Sequence, residues 1–355
     1  MTAGGRSVRI YPELRAAQVE RHEQLVPAEG WYFKTNYDIT GEVAPAFVPM
    51  STLKALLTLA FAEVETLEVP ELLWARELPR TLALLVVHKL TSRRSARRVF
   101  YAIENNDPET ALLGTRKVPR WISAPLRGAL GLSARWLIDA VVYGSEGSRR
   151  AYQSLPLVRG MHSTLIEELP GRPTGPALPE DRRGAVFVGA LETRKGVPAL
   201  MKAWEMIETG HADRQIRIIG NGELVSEVRT WSDKNPAQRI FLGQLPHDQV
   251  HDILTQSSVL AAPSLREGRW REQIGLPIKE ALRAGVTVVS TPDTGLADWL
   301  VTNGHHVEQI DALAGALAAA LDAPLHPAEV IRALPQFDGR VAADHWLRRS
   351  TEAAS

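Results

Sequence analysis

Residues 259–290 read VLAAPSLREGRWREQIGLPIKEALRAGVTVVS: an apolar run, a charged loop, a short helical segment and a second apolar run. Both apolar runs, 259–262 and 286–290, are predicted to be buried strands. A helix is predicted to begin between them near Pro277, because proline at the first helical position gives up no hydrogen bond and already has a suitable φ angle. Gly275 precedes this helix and lets a ligand approach its free N–H groups, where the helix dipole favours an anion.

Two glutamates flank this predicted helix start. Glu272 lies in the loop before it, and Glu280 lies about one turn inside the helix. A diphosphate bound at the backbone of Gly275 and Leu276 would have one carboxylate toward each end of the ligand. This arrangement suits a nucleotide sugar.

Residues 272–281 resemble the Glu-x7-Glu signature of retaining GT-B glycosyltransferases, family 4 in particular. The glutamate spacing alone occurs by chance in a chain of this length. More specific are the glycine three residues after Glu272, the pattern Ala-x-x-x-Gly-x-x-Val-Val that begins at Ala281, and the flanking apolar runs. The resemblance implies that Glu272 faces the donor sugar and that Glu280 holds the ribose hydroxyls.

The length of 355 residues favours two domains. Proline and glycine crowd residues 171–180, which we predict to be the linker. We therefore expect an acceptor-side domain over 1–172, a donor-binding domain over 173–330 and a final helix within 331–355. Strands alternating with helical patterns predict an α/β fold with parallel sheets. The resemblance implies the GT-B fold, in which two Rossmann-like doubly wound domains face a cleft and the last helix crosses back onto the first domain.

The individual elements follow from apolar patterning and from capping and turn residues. Predicted strands are 8–11, 64–74, 98–103, 140–144, 185–188, 216–219, 239–242, 258–262 and 286–290. Predicted helices are 51–62, 79–90, 119–138, 197–208, 223–231, 247–255, 277–284, 311–321 and 337–354.

Composition limits the class of protein. The 41 Lys and Arg balance the 41 Asp and Glu, which argues against a general nucleic-acid or membrane-surface binder. The sequence has no cysteine, no export signal and no apolar stretch long enough to span a bilayer, so we expect a cytoplasmic protein. Abundant Arg, Ala and Leu suggest a bacterial source. Peripheral contact with a membrane stays open.

The loop 189–197 follows the first predicted strand of the second domain. It resembles the family's glycine-arginine…lysine-glycine loop, whose two cations grip the diphosphate. Gly189 and Lys195 match this pattern, whereas Ala190 stands where the family commonly has the arginine. The substitutes that we consider are Arg194 and the loop arginines Arg266, Arg269 and Arg271. The alternative is an ordinary helix-start loop with two solvated bases.

Two further turns resemble family features. Gly222 lies in a glycine-rich turn at the expected cleft, although the residues by themselves are more typical of a purely structural tight turn. Gly243 and Leu245 follow the third strand, where the family's backbone holds the edge of the base. The assignment of these two rests on position alone.

The first domain departs from the family pattern. Residues 11–13 lack the glycine pair that usually ends the first strand, and Gly30 is a weak substitute. The family's histidine falls within 104–106, so Glu104 or Asn105 would contact a sugar hydroxyl instead. His88 lies on a predicted helix and is expected to be structural.

The leading hypothesis is a retaining glycosyltransferase that moves a sugar from a nucleoside diphosphate, UDP or GDP, to an acceptor hydroxyl. The resemblance implies that the leaving phosphate takes the acceptor proton. A small molecule, a glycan or a lipid-linked sugar is the expected acceptor, and nucleic acid is not. No metal-ligand spacing occurs, so no tightly bound metal or cofactor is expected. Two alternatives are a nucleotide-sugar-binding protein with impaired catalysis and a GT-B epimerase or phosphorylase.

Overall fold

The computed structural model describes residues 6–36, 38–39, 41–115, 118–174, 179 and 181–349. The chain divides into two compact units. The first unit comprises the residues up to Glu167 and those from Arg340 onward, and the second comprises Glu168–Gly339. We predicted the boundary at residues 172 and 173 and the start of the last segment at residue 331. The division therefore gives residues 168–172 and 331–339 to the second unit.

Strands and helices alternate along most of the chain. The strands are β1 (Ser7–Tyr11), β2 (Glu29–Tyr32), β3 (Phe47–Pro49), β4 (Thr66–Glu68), β5 (Arg97–Ala102), β6 (Ala140–Tyr143), β7 (Ser163–Leu165), β8 (Ala185–Val188), β9 (Ile216–Ile219), β10 (Arg239–Gly243), β11 (Val259–Ala262), β12 (Thr287–Ser290) and β13 (His306–Val307). The helices are α1 (Ala16–His22), α2 (Thr52–Phe61), α3 (Leu78–Thr91), α4 (Pro108–Leu113), α5 (Arg120–Leu137), α6 (Glu146–Gln153), α7 (Val197–Glu208), α8 (Val225–Asp233), α9 (His247–Gln256), α10 (Leu276–Arg283), α11 (Ala297–Thr302), α12 (Leu313–Asp322), α13 (Pro327–Ala333) and α14 (Gly339–Arg348). None of the described helices is long and apolar enough to cross a membrane.

The sheet of the first unit has seven parallel strands in the order β3-β2-β1-β4-β5-β6-β7. Its core joins strand residues such as Val8 and Leu67 to helix residues such as Leu59 and Leu84. The last helix, α14, places Ala343 and Leu347 against Val99, Ala140 and Val142 of this sheet, in a second apolar cluster.

The sheet of the second unit has six parallel strands in the order β10-β9-β8-β11-β12-β13. The chain winds outward from β8 to β10 and then resumes on the other side of β8 with β11. The loops that follow β8 and β11 therefore start side by side at the carboxyl end of the sheet. In open α/β sheets this reversal point is the usual place for a ligand.

Two elements differ most from the prediction. Residues 29–32 and 47–49 form strands β2 and β3, where we predicted irregular chain. Gly30 weakens the strand signal there, yet a side chain at Gly30 would overlap the Phe47 ring of the neighbouring strand. The predicted strand 64–74 shortens to Thr66–Glu68, because Pro70 and a turn follow it.

Candidate active site

Lys195 and Glu272 meet at the reversal point of the second sheet. The Lys195 ammonium forms an ion pair with Glu272 Oε2, and Ser264 Oγ donates to the same oxygen at 3.1 Å. Gly196 makes this approach possible: its φ of +74° suits glycine, and a Cβ there would overlap the Pro263 carbonyl oxygen. The two loops that we predicted to bind one ligand thus touch through their charged side chains.

Trp270 brings the two bases of the first loop together. Backbone hydrogen bonds of 2.8 and 3.0 Å join Trp270 to Glu267 and close a tight turn at the tip of the loop. The Trp270 ring centroid is 4.3 Å from the Arg194 guanidinium carbon and 4.8 Å from the Lys195 nitrogen. These are cation–π distances, so the indole keeps both cations on one surface. Arg194 Nε also pairs with Glu192 Oε2 at 2.5 Å.

Arg271 faces the loop after β12. Its Nη2 donates to the Pro292 carbonyl at 2.9 Å, and its Nε lies 3.4 Å from Asp293 Oδ1. The other Asp293 oxygen accepts the Arg266 backbone N–H at 3.0 Å. Arg271 therefore fixes the loop, whereas Arg194 is the base that the structure places beside Lys195.

The start of α10 has the glycine-led backbone on which the prediction of an anion site depends. Gly275 has φ +82° and precedes Leu276, the first residue of the helix, whose side chain is exposed. Glu280 is largely buried in the helix interior, with His247 Nδ1 at 3.6 Å from its Oε1. Burial raises the pKa of Glu280 above its usual value, and His247 partly opposes that shift. Such a carboxylate gains from neutral hydroxyl donors, which the ribose of a nucleotide would supply.

The glycine turns at the ends of β8 to β10 form a close-packed backbone cluster. Gly189 N–H donates to Ile219 at 3.1 Å, and Gly220 N–H donates to Gly243 at 2.8 Å. A Cβ at Gly222 would overlap the backbone of Leu191. Close packing of the two turns is therefore enough to explain a glycine at this position, without a ligand. Leu245 lies half-buried in the next connection.

The candidate acceptor residues of the first unit follow β5. Glu104 Oε1 accepts the backbone N–H and the side-chain Nδ2 of Asn106 at 2.8 and 2.9 Å, while Asn105 is buried. His88 is also buried, with Nε2 at 2.9 Å from the Val64 carbonyl, in keeping with a structural role.

Glu71 is an ionisable group that the sequence did not reveal. Its carboxyl oxygens accept the backbone N–H groups of Ile103 and Glu104 at 3.4 and 3.1 Å and the Tyr152 hydroxyl at 3.0 Å. Burial, reinforced by the nearby Glu104 carboxylate, raises the pKa of Glu71 to about 8. In the sequence, Glu71 lies inside the predicted strand 64–74, directly after Pro70, and nothing there marks it as a special acid.

No group of three or more His, Asp or Glu side chains is arranged to hold a metal ion within the described ranges. Lys195, Arg194 and the start of α10 contribute positive charge at the candidate site.

Comparison with known proteins identifies the second unit. Residues 174–336 match the model of the family described as "Glycosyl transferases group 1". This match spans nearly the whole second unit. A GDP-mannose-dependent monoacylated alpha-(1-6)-phosphatidylinositol monomannoside mannosyltransferase of Corynebacterium glutamicum is similar to this chain: it is 27% identical over 220 residues, 54% of this chain and 55% of that protein. A putative teichuronic acid biosynthesis glycosyltransferase of Bacillus subtilis is 32% identical over 144 residues, 41% of this chain and 33% of that protein.

The chain spans about half the length of the first of these relatives. Similarity to solved glycosyltransferase structures extends over nearly the whole chain, at low identity. A lipopolysaccharide outer core galactosyltransferase gives a TM-score of 0.64 at 12% identity, covering 96% of this chain and 98% of that one. The structure of an Anabaena protein in complex with UDP gives a TM-score of 0.63 at 13% identity, covering 96% of this chain and 98% of that one. The fold is therefore GT-B, with two Rossmann-like parallel-sheet domains.

Proposed function

We propose that the protein is a retaining glycosyltransferase that transfers a sugar from a nucleoside diphosphate sugar to an acceptor hydroxyl. The observation that carries this proposal is the Lys195–Glu272 contact at the sheet reversal point, beside a glycine-led helix that contains Glu280. The match of residues 174–336 to the model of the glycosyl transferases group 1 family supports it. The two carboxylates and the cation are the residues that such a donor needs.

The donor chemistry follows from charge. In the reaction the bond between the sugar carbon and the diphosphate oxygen breaks, and the acceptor oxygen bonds to that carbon on the same face. The leaving diphosphate gains negative charge, and Lys195, Arg194 and the N–H groups at the start of α10 would stabilise it. The acceptor proton passes to the leaving phosphate oxygen, so the step requires no protein base.

Glu272 and Glu280 are assigned to the two other parts of the donor, the sugar and the ribose. Glu272, held by Lys195 and Ser264, would accept hydrogen bonds from the sugar hydroxyls. Glu280 would accept the two ribose hydroxyls. We propose GDP or UDP as the nucleotide: the Corynebacterium relative is named as GDP-mannose-dependent, and the Anabaena structure contains UDP.

For the acceptor we propose a glycan or a lipid-linked sugar. The Corynebacterium relative is named for a phosphatidylinositol monomannoside. Glu104 and Asn105, with Glu71 behind them, are the first-unit residues that we assign to acceptor hydroxyls. The absence of cysteine from the sequence is in keeping with a cytoplasmic location.

A protein that binds a nucleotide sugar but has lost turnover is the second candidate function. One observation favours it: Glu104 occupies the region of the family histidine and turns onto Asn106.

A thermal-shift panel of UDP, GDP and their sugars tests the donor assignment. Ligand at about 100 times its dissociation constant should raise the free energy of unfolding by about 2.7 kcal/mol. Glu280→Ala should weaken nucleotide binding about tenfold or more, the value of one or two lost hydrogen bonds to a charged group. The matched control is Glu329→Ala, which removes an exposed glutamate from the short, proline-initiated helix α13 of the same unit. No shift with any nucleotide would refute the proposal and its alternative together.

Turnover then separates enzyme from binding protein. We expect slow release of free nucleotide from the intact sugar donor, lost in Glu272→Ala while nucleotide binding persists. Nucleotide binding without such release, with added glycan or lipid-linked acceptors, would identify the binding protein instead.

A further inference from the structure

Helices α2, α3 and α5 form one layer against the sheet of the first unit, and α3 contacts both of its neighbours. Each helix packs inward through buried residues, for example Leu59 of α2, Leu84 of α3 and Leu130 of α5. We call the opposite, solvent-facing side of this layer the α2–α3–α5 face.

Large apolar side chains lie on this face. In α2, Leu53, Leu57 and Phe61 follow one another at one-turn intervals and are 67%, 50% and 87% exposed. At 100° per residue they lie on the side of the helix opposite the buried Leu59. A helix that is apolar on its solvent side as well as on its core side is normally buried on both sides, so α2 exposes apolar surface that a binding partner could cover.

The same arrangement recurs in α5. Trp121, Leu132 and Trp136 are 76%, 58% and 54% exposed and share the side opposite the buried Leu130 and Ala134. In α3, the exposed Leu90 is likewise opposite the core residues of its helix. Two helices of the layer therefore carry rows of exposed apolar side chains and the third adds Leu90, which sets this face apart from singly scattered surface hydrophobics.

The charge of these helices has one sign. Thr52–Phe61, Leu78–Thr91 and Arg120–Leu137 together contain six Lys and Arg and no Asp or Glu. Two of the six, Arg80 and Arg127, pair with carboxylates outside these helices. Arg120 and Arg135 are exposed on one flank of the α5 row. The face thus combines exposed apolar side chains with basic side chains along its border.

We propose that the α2–α3–α5 face docks on a bilayer surface that contains anionic lipids. Tryptophan and leucine side chains enter the boundary between headgroups and acyl chains, and flanking arginines attract the negative headgroups. The tryptophans suit this boundary because their rings are apolar while the indole N–H can still reach water.

Charge argues against a second copy of this chain as the occupant. A two-fold dimer through this face would bring the basic borders of both copies into one interface, with no acid in these three helices to pair them. An anionic surface instead gains from both exposed arginines of the α5 flank, Arg120 and Arg135.

Flotation of the full chain with lipid vesicles tests the proposal, and it needs no sugar donor. We expect binding to vesicles of phosphatidylglycerol and phosphatidylcholine, little binding to pure phosphatidylcholine, and weaker binding at high salt. Arg120→Ala with Arg135→Ala should lower the partition coefficient about 25-fold, since each surface-bound basic residue contributes a factor of about five. Trp121→Ser with Trp136→Ser should lower it at least about tenfold.

The matched control is Met206→Ser with Val301→Ser, which removes exposed apolar side chains from the second unit. This control should bind vesicles like the unchanged protein, and all variants should keep its melting temperature, because every substituted residue is exposed. Absence of binding to phosphatidylglycerol vesicles would overturn the proposal, as would equal losses in face and control variants. A dimer in sedimentation velocity that the tryptophan substitutions dissociate would assign the face to protein contact instead. Nucleotide binding can succeed or fail independently of all these outcomes.

Discussion

Trp270 is a residue whose role depends on contacts rather than on its place in a motif. Its ring lies over both Arg194 and Lys195, the two bases that we assign to the diphosphate. Without the ring, both side chains regain rotamer freedom that phosphate binding must then remove.

We therefore expect Trp270→Ala to raise the dissociation constant of the nucleoside diphosphate about 5- to 30-fold, equivalent to a cation–π contribution of about 1–2 kcal/mol. Trp270→Phe should have a smaller effect, since phenylalanine keeps a ring. Titration calorimetry measures both, with Trp299→Phe as the control because Trp299 stacks on His305 instead. An unchanged dissociation constant in Trp270→Ala would contradict the role of the ring.

Glu71 gives the first unit a pH dependence. Its pKa is about 8 in the folded protein and close to the ordinary value of 4.5 in the unfolded chain. Between these values the folded state holds a proton that the unfolded state has lost. The free energy of unfolding therefore falls as pH rises through this window, by at most about 1.4 kcal/mol per pH unit from this group.

Glu71→Gln should remove that decline, so that the variant gains stability relative to the unchanged protein from pH 5 to pH 8. Urea unfolding at several pH values measures the difference. Glu109→Gln, a change at an exposed acid, is the control and should follow the unchanged profile. Parallel profiles for Glu71→Gln and the unchanged protein would show that the Glu71 carboxyl titrates normally.

At the level of single residues, the sequence predicted local backbone features that depend on residue spacing. The glycine-led helix start at Gly275 appears where the sequence places it. Trp270 and Glu71 could not be found in this way. A cation–π contact and a buried carboxyl depend on which loops and strand ends the sheet brings together, and a local pattern does not contain that.

At the scale of elements, α14 is attached to the first unit by buried charge as well as by apolar contacts. Asp344 is fully buried and accepts Arg9 Nη2 at 2.7 Å, Arg348 Nε at 3.0 Å and the Val26 backbone N–H at 2.8 Å. Glu68 is also buried and pairs with Arg9, Arg348 and Arg340. The arginines hold the pKa of Glu68 well below its ordinary range.

Asp344→Asn should cost about 3–5 kcal/mol of unfolding free energy, because it leaves buried arginines without their counter-charge. Asp322→Asn is the control: it breaks the Arg214 pair at a carboxylate that is 64% exposed, where a loss of at most about 1 kcal/mol is expected. Chemical denaturation compares the two, and equal small losses would show that apolar packing alone holds α14.

Elements in continuous apolar runs were predicted best. The limits of α7 and β9 agree with the prediction, and those of β11, α10 and β12 agree within one residue. The sequence failed where short strands contain polar or glycine residues, as in β2. It also gave no sign that Arg9, in the middle of an apolar strand, has its partner in the last helix, since the two lie 335 positions apart.

At the scale of the whole molecule, the balanced net charge conceals an asymmetry. Within the bounds of the two units, the first has 24 Lys and Arg against 19 Asp and Glu, and the second has 17 against 22. The balance of the chain argued against a membrane-surface binder, but that argument averages two units of opposite sign. In this protein, the net charge of each unit is therefore a better guide to its binding partners than the net charge of the whole chain.

The two units also have separate hydrophobic cores with no residue in common. We expect two transitions in calorimetric unfolding, as in other multidomain proteins. A saturating nucleoside diphosphate should raise the midpoint of one of them, that of the second unit, and Glu280→Ala should abolish the rise. A single transition, or a rise in both midpoints, would contradict this independence.

The contact between Arg9 and Asp344 affects how the protein is made. Translation produces β1 well before α14, so the emerging first unit holds Arg9 and Glu68 without their last partners. The second unit has all of its own residues once Gly339 has been added. The part of the chain translated later is thus complete before the part translated earlier, and a nascent first unit must keep its buried charges hydrated until residues 340–348 arrive.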